Sequence, residues 1–181
     1  MRLSGSKFMF DASVYAEAAQ HGFEGLAFYT AGRCGVLGDC DADVVAAAMG
    51  FFEPSSVRAD WEQGIAAQPP HRCAELFADA CAAWGRAHLG PAMSDGDTTE
   101  LATLALRAVD AASTTGMPLF AGWRRLTLDR HADAPGDPRG VSLVALNTLR
   151  ELRGGAHLVS VTAAGIGALE AVLATGGVPN A

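Results

Sequence analysis

Asn147, Arg150, Arg153 beside Gly154, and His157 recur at steps of three along the C-terminal third of this 181-residue sequence. On a helix, residues three and four apart share a face, so an amide, two guanidiniums and an imidazole would converge where two apolar helices meet. Such a set can hold an anionic or carbonyl group at Arg153 while His157 gives or takes a proton or a hydrogen bond. The same spacing also fits a structural junction, with Arg150 and Arg153 completing a helix C-terminus and His157 hydrogen-bonded inside. Both readings stay open at this level.

Other reactive side chains carry weaker patterns. Asp39, Asp41 and Asp43 imitate the opening of a calcium loop, but Val44 stands where that loop needs glycine and Gly50 where it needs glutamate. A helix cap at Asp41, with Asp43 in the first turn, accounts for them more simply. Asp129, His131 and Asp133 could grip a metal, yet a solvated acidic loop is the better account of them, and no metal site is expected. The four cysteines read as free, mostly buried thiols: Cys34 and Cys40 are too widely spaced for zinc, and Cys73 and Cys81 would sit about 12 Å apart along one helix. Phosphate-binding glycine loops, nucleophile elbows and paired zinc histidines are absent from the sequence, and no cofactor is implied. Six arginines between Arg124 and Arg153 reverse the local charge, and are expected to form a solvated face with Asp129, Asp133, Asp137 and Glu151.

The elements that must position these residues read as helical throughout. Apolar runs are rich in alanine and leucine, seldom β-branched, and spaced at three and four residues, which predicts an all-α, single-domain bundle of about six to eight helices. Asp11 and Asp41 are expected caps, and Glu53-Pro54 and Pro69-Pro70 expected helix starts. The segment after Pro70 carries the clearest buried stripe, Leu76, Phe77, Ala80, Cys81 and Trp84. A helix over Thr99 to Ala112 should bury Leu101, Leu104, Ala105 and Ala108. The stretch Asp129 to Gly140 is expected to be a long surface loop. Two helices, Pro138 to Arg153 and Ala156 to Thr175, are expected to finish the chain, with Gly154-Gly155 as the hinge between them. The second outlines helix, turn at Gly165, helix, as in DNA-reading units, but Gly167 to Thr175 offers only Glu170 and Thr175 as polar side chains, so buried helix packing is the expectation there.

Thirteen basic against twenty acidic residues give a net charge of −7, which opposes unspecific binding to nucleic acid or anionic lipid. No apolar run reaches the ~18–20 residues that span a bilayer, and the N-terminus has no leader-like stretch, so a cytoplasmic protein is expected. One lysine, Lys7, against twelve arginines and abundant alanine reflects the codon bias of a GC-rich genome.

Four stretches resemble an actinobacterial family of all-helical proteins that bears a helix-turn-helix designation. They are AFYTAGRCGVLGD (27 to 39), the Phe51-Phe52-Glu53-Pro54 junction, MPLFAGWRRL (117 to 126) and VALNTLRELRGGAHLVSVTAAGIGALEAVL (144 to 173). The chain departs from the family pattern at Gly155-Ala156, where an Asp-Gly pair is usual. Longer members continue into a winged-helix-like region, so the resemblance implies that this chain lacks the DNA-binding part. It also implies an aromatic near each of three helix ends, which makes Tyr29, Phe52 and Trp123 candidates for an apolar wall, and an arginine, Arg33, closing the aromatic-rich helix. With Asn147, Arg153 and His157 these form the candidate ligand-binding set.

A large apolar core with one convergent polar stripe and no catalytic signature points first to a small-molecule-binding or regulatory helical protein. An enzyme of transferase or isomerase type using His157 and Arg153 is the second reading, and a helix-turn-helix transcriptional regulator the third. Nucleic acid is not expected to bind this chain alone. The apolar segment 156 to 175, whose only charged side chain is Glu170, needs cover, for which a homodimer is the simplest source.

Overall fold

The computed structural model describes residues 7–90, 92–131 and 136–174. Among them lie nine α-helices, two 3-10 turns and no strand: α1 Ala12–Gln20, α2 Ala27–Cys34, α3 Ala42–Ala48, α4 Pro54–Ala67, α5 Pro70–Leu89, α6 Asp95–Ala111, α7 Pro118–His131, α8 Pro138–Ala163 and α9 Ala168–Ala174. Their starts follow from local chemistry. Asp11, Asp41, Glu53, Ser94 and Asp137 each accept a backbone N–H of the first turn, and Pro54, Pro70 and Pro138 open helices where no N–H is required.

All eight residues of α2 are buried. Packed against α4 and α5, this short helix forms the centre of the molecule, while α8 lies across α5, α6 and α7. Small residues permit the closeness: a Cβ on Gly64 of α4 would sit 2.3 Å from the Ala31 Cβ of α2. The expected stripe of α5 is buried at Leu76, Phe77, Ala80 and Cys81, with Trp84 packed at its edge. Phe8, Phe77 and Trp123 interlock edge to face beside it, adding specific ring geometry to the apolar burial.

Four expectations are corrected. Helix α8 runs without a break through Gly154-Gly155, so these glycines are no hinge. A Cβ on Gly155 would approach Met117 Cγ to 2.7 Å, and close packing against the start of α7 explains the glycine instead. The break falls at Gly165, whose φ of +74° only glycine adopts without strain, and α9 leaves α8 at 97°. Second, none of the residues from Ala156 to Ala174 is buried; the segment is an arm, with Val159, Ile166 and Leu173 about half exposed. Third, α6 buries Ala102, Ala105 and Val109, while Leu104 faces outward. Fourth, Asp129 to His131 belong to α7, which shortens the expected loop.

No single described helix is long and apolar enough to cross a membrane; α8 and α9 together meet the length and composition test only as a strongly bent pair.

Candidate functional site

Helix α2 brings Tyr29 and Arg33, one turn apart, against the middle of α8. There Arg33 meets Glu151: Nε donates to Oε1 and Nη2 to Oε2, each at 2.9 Å, in a two-pronged pair that is 7% and 3% exposed at its two residues. The remaining Nη1 of Arg33 donates to the Tyr29 hydroxyl at 2.7 Å. Its guanidinium also lies 4.8 Å from the Tyr29 ring centre and 5.9 Å from that of Phe52. Arg150 adds a second cation, donating from Nη2 to Glu151 Oε1 at 2.5 Å and from Nε to Asn147 Oδ1 at 3.4 Å.

The charges respond to this enclosure. Burial opposes the Arg33 cation, yet the Glu151 carboxylate and Tyr29 hold its pKa above the ordinary value. Burial likewise disfavours the Glu151 anion, but Arg33 and Arg150 together keep its pKa below the usual carboxylate range. Arg150 is pushed down, first by burial and then by its neighbour Arg33, against the pull of Glu151.

Two adjoining pockets open on this cluster. One, of about 410 Å³, is walled mainly by apolar side chains of α3, the Phe51-Phe52 corner, the start of α7 and Leu158 of α8. The other, of about 260 Å³, is bordered by Tyr29, Arg150, Arg153 and His157. Arg33, Phe51, Phe52, Glu151 and Gly154 border both. An apolar chamber joined to a small polar one is the usual form of a small-molecule site.

Of the seven candidate residues, five border these pockets: Tyr29, Arg33, Phe52, Arg153 and His157. His157 is exposed at the rim and stacks on Phe51 with ring centres 4.8 Å apart, so the hydrogen-bonded interior position expected for a structural histidine is not what it occupies. Trp123 and Asn147 stand elsewhere. Trp123 has no exposed surface and borders neither pocket; its indole N–H donates to the Arg33 carbonyl at 2.9 Å, fixing the end of α2 from behind. Asn147 is buried, and its Nδ2 has no hydrogen-bond partner in the structure.

Glu151, expected on the solvated face, is instead buried against Arg33. Three of the six arginines of this stretch do form exposed pairs, but with carboxylates other than the expected ones: Arg124 with Asp110 at 2.6 Å, Arg130 with Asp79, and Arg139 with Asp95. The four cysteines are free thiols, three of them buried. Burial pushes Cys34 up to about 12 and Cys73 up to about 11, which makes both poor nucleophiles. Among the described residues no group of three metal-ligating side chains converges; Asp133, one of the residues weighed for a metal, lies outside them.

The sequence model of a helix-turn-helix family matches residues 5–179. Comparison with curated proteins and with solved structures returns no match.

Proposed function

This chain belongs to the helix-turn-helix family matched across residues 5–179, and on that premise we propose that it is a small-molecule-binding protein with a regulatory role. The observation that carries the reading is the Arg33–Glu151 pair, buried yet bordering both pockets at once. An ion pair removed from water is costly to keep unless its geometry and hydrogen bonds are nearly complete. Here it is surrounded by aromatic rings and an apolar chamber of about 410 Å³, within the size range of ligand sites. Native mass spectrometry of freshly purified protein tests the reading directly: a retained mass that disappears on mild activation supports it, whereas a bare chain together with no binding across a broad ligand panel overturns it.

A second reading, direct contact with nucleic acid, draws support from the family description and from the outline of α8, the Gly165 turn and α9. Charge speaks against it. The only charged side chain on α9 is Glu170, and the whole chain carries −7. Helix α9 offers phosphates no lysine or arginine. Enzymatic use of His157 and Arg153 would require the same polar pocket and is separated from simple binding by whether a bound compound leaves chemically altered.

A further inference from the structure

The polar pocket holds more positive charge than its own carboxylate can balance. Arg33, Arg150 and Arg153 border it against a single carboxylate, Glu151. Both oxygens of that carboxylate are already engaged, one by Arg33 alone and the other by Arg33 and Arg150 together. Arg33 is matched by this arrangement. Arg150, half-buried and sharing an oxygen, is left without a counter-charge of its own, and Arg153 adds a solvated cation at the rim. This positive island sits in a chain of net charge −7. A few steps away along the shared wall, the second pocket offers Phe51, Met117, Leu119 and Leu158 to an apolar body.

We propose that the two adjoining pockets bind one amphipathic anion, a carboxylate on an aliphatic body, with its head beside Arg150, Arg153 and His157 and its body between the Phe51-Phe52 corner, Met117 and Leu158. The inference rests on the reading that these pockets take a small molecule, and it names the ligand class. A carboxylate suits the head for two reasons. Its planar pair of oxygens matches a guanidinium edge, and its single charge balances the one enclosed cation that Glu151 leaves over, while Arg153 remains screened by water. The His157 ring, flat on Phe51 at the rim, can donate a hydrogen bond to the same head. An uncharged alcohol of equal length would fill the apolar chamber but leave Arg150 unmatched, and a cationic amphiphile would meet repulsion.

Displacement of Nile red by dodecanoate, dodecanol, dodecyl phosphate and dodecyltrimethylammonium tests the proposal on the full chain, with calorimetric titration of dodecanoate run in parallel. Dodecanoate is expected to bind about tenfold or more tightly than dodecanol, the difference expected of a charge-assisted hydrogen bond, and the cation to bind weakest. Arg153→Gln, an exposed change, should reduce that preference a few-fold without altering the thermal melt, and Arg150→Gln should bring acid and alcohol close to parity. Leu158→Glu should weaken both compounds together. Should Arg150→Gln not fold, Arg153→Gln and the wild-type ranking decide. Equal binding of dodecanol and dodecanoate would overturn the anionic class while leaving the pocket reading intact. A clear preference for dodecyl phosphate would overturn the single-carboxylate head, and an acid preference unchanged by either arginine variant would overturn its placement. Failure of Nile red and of every amphiphile to bind would overturn the pocket reading as well.

Discussion

Arg33 and Glu151 lie 118 positions apart and meet through two parallel hydrogen bonds of 2.9 Å, tying the central helix α2 to the middle of α8. The contact joins the most enclosed element of the fold to the one that carries the exposed arm. It also sets the shape of the candidate site, since both pockets use the pair as a wall.

Removing one partner of this pair should cost about 3–5 kcal/mol, because an unmatched charge would remain in the interior. Arg33→Leu and Glu151→Leu should each lower the urea midpoint strongly, and the double variant should recover a good part of the loss. Strict additivity of the two single changes would show that the pair is not coupled.

Acid should act through the same carboxylate. The folded pKa of Glu151 is depressed below its ordinary value of 4.5, so its contribution is complete above that value and is lost as pH falls through the lower folded one. Asp11 and Glu53, held down to about 2 chiefly by hydrogen bonds from Ser13 and Ser55, weaken the fold in the same direction at lower pH. Urea midpoints recorded from about pH 6 down to about pH 3 should therefore fall less steeply in Glu151→Gln than in the wild type. Parallel curves would contradict this.

His157→Ala and Arg153→Ala should melt within a few degrees of the wild type, since both side chains are exposed, and should lose ligand in native mass spectra. A large drop in melting temperature with ligand retention unchanged would make the residues structural.

The arm of α8 and α9 exposes Val159, Ile166 and Leu173, and a symmetric dimer is the expected cover. Light scattering should return about twice the 18.6 kDa chain mass. A constant monomer mass across concentrations refutes the dimer.

Duplex DNA should give no band shift at physiological salt, because six or more phosphate contacts need cations that this arm lacks. A shift surviving that salt would move the function to the helix-turn-helix outline.

How much of this was legible in the sequence depends on the range of the interaction. Caps at Asp11 and Asp41, the helix start at Glu53-Pro54 and the stripe of α5 are set by neighbours within four residues, and they appear where the sequence places them. Glu151 shows the opposite case. Nothing in its surroundings along the chain announces a partner on α2, so it reads as one more surface acid. The stripe from Asn147 to His157 is half legible for a geometric reason: each step of three falls short of a full turn by about 60°, so Arg150 and Arg153 wind away from the buried side, while the four-residue step to His157 turns back by about 40° onto a stretch of α8 where no residue is buried. Asn147 ends inside, Arg150 half-buried, and Arg153 and His157 outside. Gly154-Gly155 looks like punctuation, but the demand for a glycine comes from Met117 across the pocket.

The unbroken course of α8 through these glycines gives the arm the mechanics of a lever. Gly155 rests on Met117 as on a fulcrum, and Ala163, the last residue of α8, lies eight positions beyond it, about 12 Å of rigid helix. A flexible joint at Gly154 would absorb any strain arising at the pocket wall. A stiff rod instead holds Leu158, at the chamber wall, and the residues leading to the Gly165 turn in one rigid piece, so wall and arm share a single orientation.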